Sequence, residues 1–236
     1  MSNHVLLNNV DHPNLQVNTR RSAEFGDNVN AALTFPTEFR DLQAYYPIVF
    51  RKAADGVGFE PLALLGFQEG ENLFLGADGW DVPYVPMVVE RQPFLIGIGG
   101  DELMVHIDLD SPRVTDSGGE AVFLPHGGST EFLERISAIL FTMHQGFQST
   151  PGFIEALLQH QLLESFVADI ELSDGSQNRL AGFYTIHEDR LAILDGAAVA
   201  ALHAAGHLQS IYMVIASMSN FRALIDRKNR LHAGAR

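Results

Sequence analysis

Between Tyr45 and Ile98 the sequence consists of short apolar runs separated by Gly, Pro and Asp. The runs are residues 45–50, 59–67, 72–75, 79–86 and 92–97. Apolar runs without polar alternation are typical of strands buried on both faces, although a buried helix segment can show the same pattern. We therefore predict that this block forms the core sheet, folded as an antiparallel meander.

Further strands are predicted on both sides of a helical region. Residues 103–109 alternate apolar and polar side chains, which indicates a strand with one core face, joined to residues 94–98 by a hairpin. Residues 166–172, 179–186 and 191–194 have similar short strand patterns separated by turn residues. These three segments predict a second meander late in the chain.

Helices are predicted from apolar periodicity and from capping residues. A helix that begins near Thr130 should end at Thr150-Pro151, where a second helix should begin, because proline favours the first turn of a helix. Asp195 should cap an Ala-rich helix that ends at Gly206, and residues 208–229 should form one last helix. The expected fold is therefore α+β, with antiparallel meander sheets packed against several helices in a single domain.

The chain of 236 residues contains 46% hydrophobic residues, enough to bury one substantial core. Residues 1–30 are rich in Asn, and we predict that they form an irregular N-terminal arm with one short pairing segment near residues 5–7. Residues 31–236 should then form the α+β domain. No internal repeat divides the chain further.

Composition excludes several classes of function. The formal net charge of −14 disfavours binding to nucleic-acid phosphates and to anionic lipid surfaces. The absence of Cys removes disulfides, thiol nucleophiles and thiolate metal ligands. No apolar run reaches the roughly 18–20 residues that a membrane span requires, so we expect no spanning segment. The N-terminal residues lack the features of a signal peptide, which predicts a cytoplasmic protein, with surface association through a dedicated exporter as the alternative.

One pair of residues could serve metal chemistry. His106 and Asp108 are two positions apart on a predicted strand, so their side chains should share a face, as two ligands of a His₂-carboxylate iron site would. His126 or His144 would have to supply the third ligand. The alternative, which we favour, is a solvated strand face with no metal and no cofactor.

A second candidate site is aromatic. Trp80 and Tyr84 lie among prolines, and aromatic residues held by prolines can present a preorganised binding surface. The alternative is that the two rings pack in the core or fix a turn. We predict that Trp80 and Tyr84 contact a partner protein.

The core block contains the fragments Tyr-Pro-Ile-Val-Phe at 46–50, Leu-Leu-Gly-Phe at 64–67, Glu-Asn-Leu-Phe at 71–74, Gly-Trp at 79–80, Tyr-Val-Pro at 84–86 and Pro-Phe at 93–94. In their order and spacing, these fragments resemble the bacterial SapC family. Later segments are also similar, at 107–108, 119–124 and 206–212. The resemblance covers nearly the whole chain.

This resemblance implies a range of roles. The family name comes from surface-layer gene clusters, and members also occur near genes for halogenase-like proteins and JmjC-like cupin proteins; the resemblance supplies no catalytic residues. We therefore expect a non-catalytic binding or accessory module whose partner is a halogenase-like or cupin-like protein, or a second copy of the chain. The alternatives are an iron- and 2-oxoglutarate-dependent or other small-molecule enzyme, and a surface-layer-associated structural component.

Overall fold

The structure is a computed structural model that describes residues 3–54, 56–99 and 102–234. Antiparallel sheets and several helices confirm the predicted α+β fold in a single domain. The strands are β1 (His4–Leu6), β2 (Gln16–Val17), β3 (Ala31–Leu33), β4 (Ile48–Lys52), β5 (Phe59–Leu64), β6 (Leu75–Gly76), β7 (Gly79–Trp80), β8 (Phe94–Gly99), β9 (Glu102–Asp108), β10 (Val114–Thr115), β11 (Glu120–Ala121), β12 (Leu163–Glu171) and β13 (Gln177–Ile186). The helices are α1 (Phe39–Leu42), α2 (Met87–Glu90), α3 (Glu131–Gln159), α4 (Glu188–Ala192), α5 (Gly196–Ala204), α6 (His207–Ser217) and α7 (Asn220–Gly234), with a 3₁₀ turn at Ala23–Phe25.

The chain groups into two compact units. The first contains Met1–Asp27, Leu75–Asp81 and Met87–Gln145, and the second contains Asn28–Phe74, Val82–Pro86 and Gly146–Arg236. The predicted boundary between an arm at 1–30 and a domain at 31–236 stays a prediction. The pairing segment expected near residues 5–7 is present, because β1 pairs with β9.

The first unit is built on the antiparallel sheet β1-β9-β8 and the small sheet β10-β2-β11. The predicted hairpin of β8 and β9 is confirmed, with Phe94 opposite Ile107. The expected core face of β9 is present at Ile107, which is fully buried, whereas Leu103 is exposed. The buried core of this unit joins both sheets to the first half of α3 and consists of Val17, Phe94, Ile107, Val122, Phe132, Leu133, Ile136 and Leu140.

The second unit is built on a five-stranded antiparallel sheet in the order β12-β13-β4-β5-β3. Phe50 of β4 is fully buried against Phe153 of α3, whose ring also meets Phe39 of α1 edge to face. The prediction that residues 45–98 form one core sheet is therefore wrong. The strands β4 and β5 belong to this sheet, but β8 belongs to the first unit. Apolar runs indicate which segments are buried, but they do not specify which strands pair.

The predicted pair of helices around Thr150-Pro151 is wrong, because α3 continues through Pro151. Proline has no N–H to donate to the carbonyl four residues earlier, a local cost that usually bends or ends a helix. Here the hydroxyls of Ser149 and Thr150 each donate to the carbonyl oxygen of Gly146 at 2.8 Å. Apolar side chains continue at helical spacing on both sides of the proline, so packing outweighs the lost hydrogen bond.

Gly146 lies at a close approach between α3 and the segment after β3. A Cβ atom at this position would lie 2.1 Å from Cδ2 of Phe35, a ring that is almost fully buried. The Phe35 ring also meets Phe147 edge to face, with centroids 5.2 Å apart. The missing side chain of Gly146 is therefore what allows the ring to lie against the helix.

Two predictions near the C-terminus are wrong. Residues 191–194 form no strand; the segment Glu188–Ala192 is the helix α4, whose first turn carries acidic residues that complement the helix dipole. The single helix predicted at 208–229 is broken between α6 and α7. Ser217 is buried at the break, where its hydroxyl donates to the carbonyl of Val214 and accepts from the N–H of Ile48 at 2.9 Å. Such side-chain bonds to the backbone compete with helix continuation.

The helix α5 was predicted correctly at both ends. The carboxylate of Asp195 accepts a hydrogen bond from the N–H of Ala198 at 2.8 Å, the geometry of an N-cap. Gly206 follows the helix with φ of 75°, in the left-handed region that favours glycine.

Candidate binding site

A buried carboxylate fixes Tyr84 in the second unit. Glu38 is 1% exposed, and its Oε1 atom accepts a hydrogen bond from the hydroxyl of Tyr84 at 3.0 Å. Its Oε2 atom accepts a second bond from the hydroxyl of Thr34 at 2.6 Å. Burial raises the pKa of Tyr84 well above its ordinary range, and the negative charge of Glu38 raises it further. The phenol therefore stays protonated and acts as a donor.

The backbone of Tyr84 is held as well. The hydroxyl of Tyr46, a fully buried residue, donates to the carbonyl oxygen of Tyr84. Pro83 and Pro86 restrict the chain on both sides of this residue. Tyr84 is half-buried, and its hydroxyl and its carbonyl group are both engaged inside the unit. The ring is thus preorganised.

Trp80 lies in the first unit, at the end of the short ribbon formed by β6 and β7. It is half-buried and pairs with Leu75 across the ribbon. Gly79 precedes it with φ of 104°, which only glycine adopts easily, and so allows the tight turn between the two strands. Trp80 and Tyr84 therefore belong to different units, and their predicted role in partner binding stays a prediction for each residue separately.

His106 and Asp108 lie on β9, as predicted, but each has other contacts. A Cβ atom on Gly97 of the neighbouring strand would lie 2.2 Å from Cε1 of His106, so the imidazole covers the space that the glycine leaves open. Oδ1 of Asp108 accepts hydrogen bonds from the N–H groups of Asn3 at 2.9 Å and Asp110 at 3.2 Å. Both side chains thus support the local structure of the first unit.

The structure does not bring a third ligand to this pair. His126 lies in an exposed turn, and His144 lies half-buried on α3. Among residues 3–54, 56–99 and 102–234, no group of three or more His, Asp or Glu side chains is arranged to hold a metal ion.

The structure shows a groove in the second unit that sequence reasoning missed. It has a volume of about 710 Å³ and lies between α3 and the strands β3 and β5. Its walls are mainly apolar, and they include Leu33, Phe59, Phe147, Ile154 and Leu158. Clefts of this size with mainly apolar walls are typical of small-molecule sites.

The residues of this groove come from three separate stretches of sequence, at 33–34, 57–61 and 147–159. No one stretch has a recognisable binding motif. The feature that marks the groove is the solvent exposure of its apolar residues in the folded protein: Val57 is 79% exposed and Leu158 is 45% exposed. Exposure depends on the fold, so this signal could not be read from the sequence.

Comparison with known families confirms the resemblance that the core fragments indicate. The family model described as SapC matches residues 7–224. The chain belongs to the SapC family. Neither a curated protein nor a solved structure matches this SapC protein. The family match spans parts of both compact units, and thus includes Trp80, Tyr84 and the groove.

Over the part of the chain that the structure describes, no single helix is both long and apolar enough to cross a bilayer. Two segments, Gly196–Ala204 and His207–Leu231, satisfy the length and composition only when taken together, across a bend of 96°.

Proposed function

We propose that this SapC protein is a non-catalytic binding module that works with a protein partner, and that Trp80 and Tyr84 contact that partner. Membership in the SapC family is shown by the match over residues 7–224, and the binding role is the proposal added to it. The observation that supports the finer proposal is the fixation of Tyr84, a half-buried residue that is held at both its hydroxyl and its carbonyl group. The proposed partner is a halogenase-like protein, a JmjC-like cupin protein or a second copy of the chain.

The fixation of Tyr84 reduces the conformational entropy that its side chain loses when a partner binds. A flexible aromatic side chain loses conformational freedom when a partner binds it, which subtracts from the binding free energy. The ring of Tyr84 has already lost this freedom, because Glu38 and the contact from Tyr46 fix it in the free protein. Rigid Trp and Tyr residues with accessible area are enriched among the residues that dominate interface energies.

Trp80 supports the same proposal through a different local structure. The two-stranded ribbon and the turn at Gly79 hold its backbone, and the indole is half-buried rather than enclosed in the core. Since it belongs to the first unit, its contribution has to be measured independently of Tyr84.

The test is a binding measurement with defined partners. Purified halogenase-like and cupin-like proteins from the same host are titrated against the wild-type chain, and sedimentation measures its self-association. Trp80→Ala and Tyr84→Ala should each weaken the complex that forms by at least about 2 kcal/mol, roughly thirtyfold in Kd. Tyr212→Ala is the matched control, because Tyr212 is an exposed tyrosine on α6.

Tyr84→Phe separates the ring from the hydroxyl. This variant keeps the apolar area but loses the bond that fixes the ring, so if it remains folded it should bind more weakly than wild type, by at most about tenfold, and more tightly than Tyr84→Ala. If Trp80→Ala and Tyr84→Ala stay folded and bind as tightly as Tyr212→Ala, the proposed contact residues are wrong. If the wild-type chain forms no complex with either protein or with itself, the proposed partners are wrong.

A further inference from the structure

The groove in the second unit is independent of the partner contacts proposed above. We infer that it is a binding site for a small molecule with an apolar body and a cationic amine, with the body on the apolar walls and the amine beside Glu155. The site has a volume of about 710 Å³, within the range of cavities that hold small ligands.

The deep part of the groove offers an apolar surface because its polar groups already have partners. The hydroxyl of Thr34 donates to Glu38 at 2.6 Å, and the hydroxyl of Thr150 donates to the carbonyl of Gly146 at 2.8 Å. Both threonines are buried, whereas apolar side chains of Phe59 and Phe147 remain half-accessible. An apolar ligand body can therefore displace water without breaking a hydrogen bond of the protein.

The charge of the lining selects the polar group of the ligand. The groove is lined by two carboxylates, Glu60 and Glu155, and its described lining contains no Lys, Arg or His. Glu60 forms an ion pair with Arg51 at 3.1 Å. Glu155 is exposed on α3 and has no ion-pair partner among the residues that the structure describes. A carboxylate on the ligand would be repelled here, whereas a protonated amine would be attracted.

The probes are three molecules with the same chain and different head groups: octylamine, octanol and octanoate. Calorimetric titration at pH 7 should show octylamine binding with a Kd below about 1 mM. Octanol should bind more weakly, and octanoate about tenfold more weakly than octylamine, because attraction to an exposed carboxylate is replaced by repulsion.

Two variants locate the binding event. Glu155→Gln should reduce the affinity for octylamine to that for octanol, since it removes the charge and keeps the size. Leu158→Lys should abolish the preference, so that octylamine and octanoate bind with similar affinity, because the added ammonium offsets the charge of Glu155 three residues earlier on the helix. The matched control is Leu231→Lys, because Leu231 is a similarly exposed leucine on α7, outside the groove.

Several results would overturn the inference. Octylamine without saturable binding at millimolar concentration is one such result, and octanoate that binds as tightly as octylamine is another. Equal octylamine affinities of Leu158→Lys and Leu231→Lys would place binding elsewhere. If Leu158→Lys leaves the probes unaffected and instead weakens the complex with a protein partner, the groove is part of that interface. None of these results depends on Trp80 or Tyr84, so the two proposals fail separately.

Discussion

Two buried carboxylates are held in different ways in the two units. Asp27 in the first unit is fully buried, and its Oδ1 atom lies 2.6 Å from Nη2 of Arg113, which is itself 1% exposed. Glu38 in the second unit is equally buried, but the partners of its oxygens include the neutral hydroxyls of Thr34 and Tyr84. One site pairs a carboxylate with a buried guanidinium, and the other bonds a carboxylate to two hydroxyl groups.

The difference matters when one partner is removed. The guanidinium of Arg113 also donates to the carbonyl oxygens of Asn18 and Arg20, at 3.1 and 2.9 Å, but these dipoles do not cancel its charge. Burial lowers the pKa of Arg113, and the charge of Asp27 opposes that shift. Removing Asp27 leaves a buried cation without this counter-charge, whereas removing Glu38 leaves the neutral hydroxyls of Thr34 and Tyr84 without this acceptor. The first loss should cost more free energy.

The largest effect is expected for Asp27→Ala. The free energy of unfolding should fall by about 3–5 kcal/mol, because Arg113 would be left buried without its closest anion. Urea denaturation measures this change. Asp27→Asn keeps the size and removes the charge, and should also be strongly destabilising. A cost for Asp27→Asn below about 1 kcal/mol would mean that charge is not what holds this site.

The next effect is expected for Glu38→Ala, at about 1–3 kcal/mol, because the buried hydroxyl of Thr34 loses its acceptor. Glu38→Gln should cost less than about 1 kcal/mol, since an amide can both accept from one hydroxyl and donate to the other. The same urea experiment applies. If Glu38→Gln is as costly as Asp27→Asn, the charge of the carboxylate is equally important at both sites, and the proposed difference between them is wrong.

Tyr84→Phe should have a smaller effect that depends on pH. At pH 8 we expect a loss of about 1–2 kcal/mol, because Tyr84 is only half-buried and water can replace part of its bond to Glu38. The folded protein holds the phenol proton more tightly than the unfolded chain, whose pKa is about 10. Wild-type stability should therefore fall as pH rises above about 10, and the gap to Tyr84→Phe should narrow. A gap that stays constant from pH 8 to 11 would contradict the raised pKa.

The smallest effect is expected for Arg179→Ala. Its ion pair with Asp169 spans 3.5 Å, and both side chains are mostly exposed. Solvent screening makes such pairs weak, so the free energy of unfolding should change by less than about 1 kcal/mol. Thermal denaturation at low and high salt checks this value. A loss comparable to that of Asp27→Ala would show that exposure is a poor guide to ion-pair strength in this protein.

Much of the fold could be predicted from local sequence. The α+β class, the hairpin of β8 and β9 and the caps of α5 follow from alternation, turn residues and Asp195. The errors arose where tertiary contacts override local preference. Pro151 lies inside a helix because apolar packing continues on both sides of it, and the break after Ser217 lies where the serine hydroxyl accepts a hydrogen bond from the distant residue Ile48. Neither contact is visible in a short window of sequence.

The candidate sites were less predictable than the fold. Trp80 and Tyr84 were identified from their aromatic rings and neighbouring prolines, but the contact of Tyr84 with Glu38 joins residues 46 positions apart. The groove required the fold to bring three stretches together, and its exposed apolar residues look like ordinary core residues in the sequence. For His106, the local sequence indicated a site and the folded structure did not support it. Its spacing from Asp108 matched a metal site, while its position over Gly97 depends on strand pairing.

The close approach at Gly146 limits how this sequence can vary. Because a Cβ atom there would overlap the Phe35 ring, even the smallest change, to alanine, requires the ring to move or position 35 to become smaller. Positions 35 and 146 are therefore expected to vary as a pair. In a saturation library that keeps Phe35, selection for folded protein should return glycine at 146, and alanine should be recovered only when a smaller residue replaces Phe35.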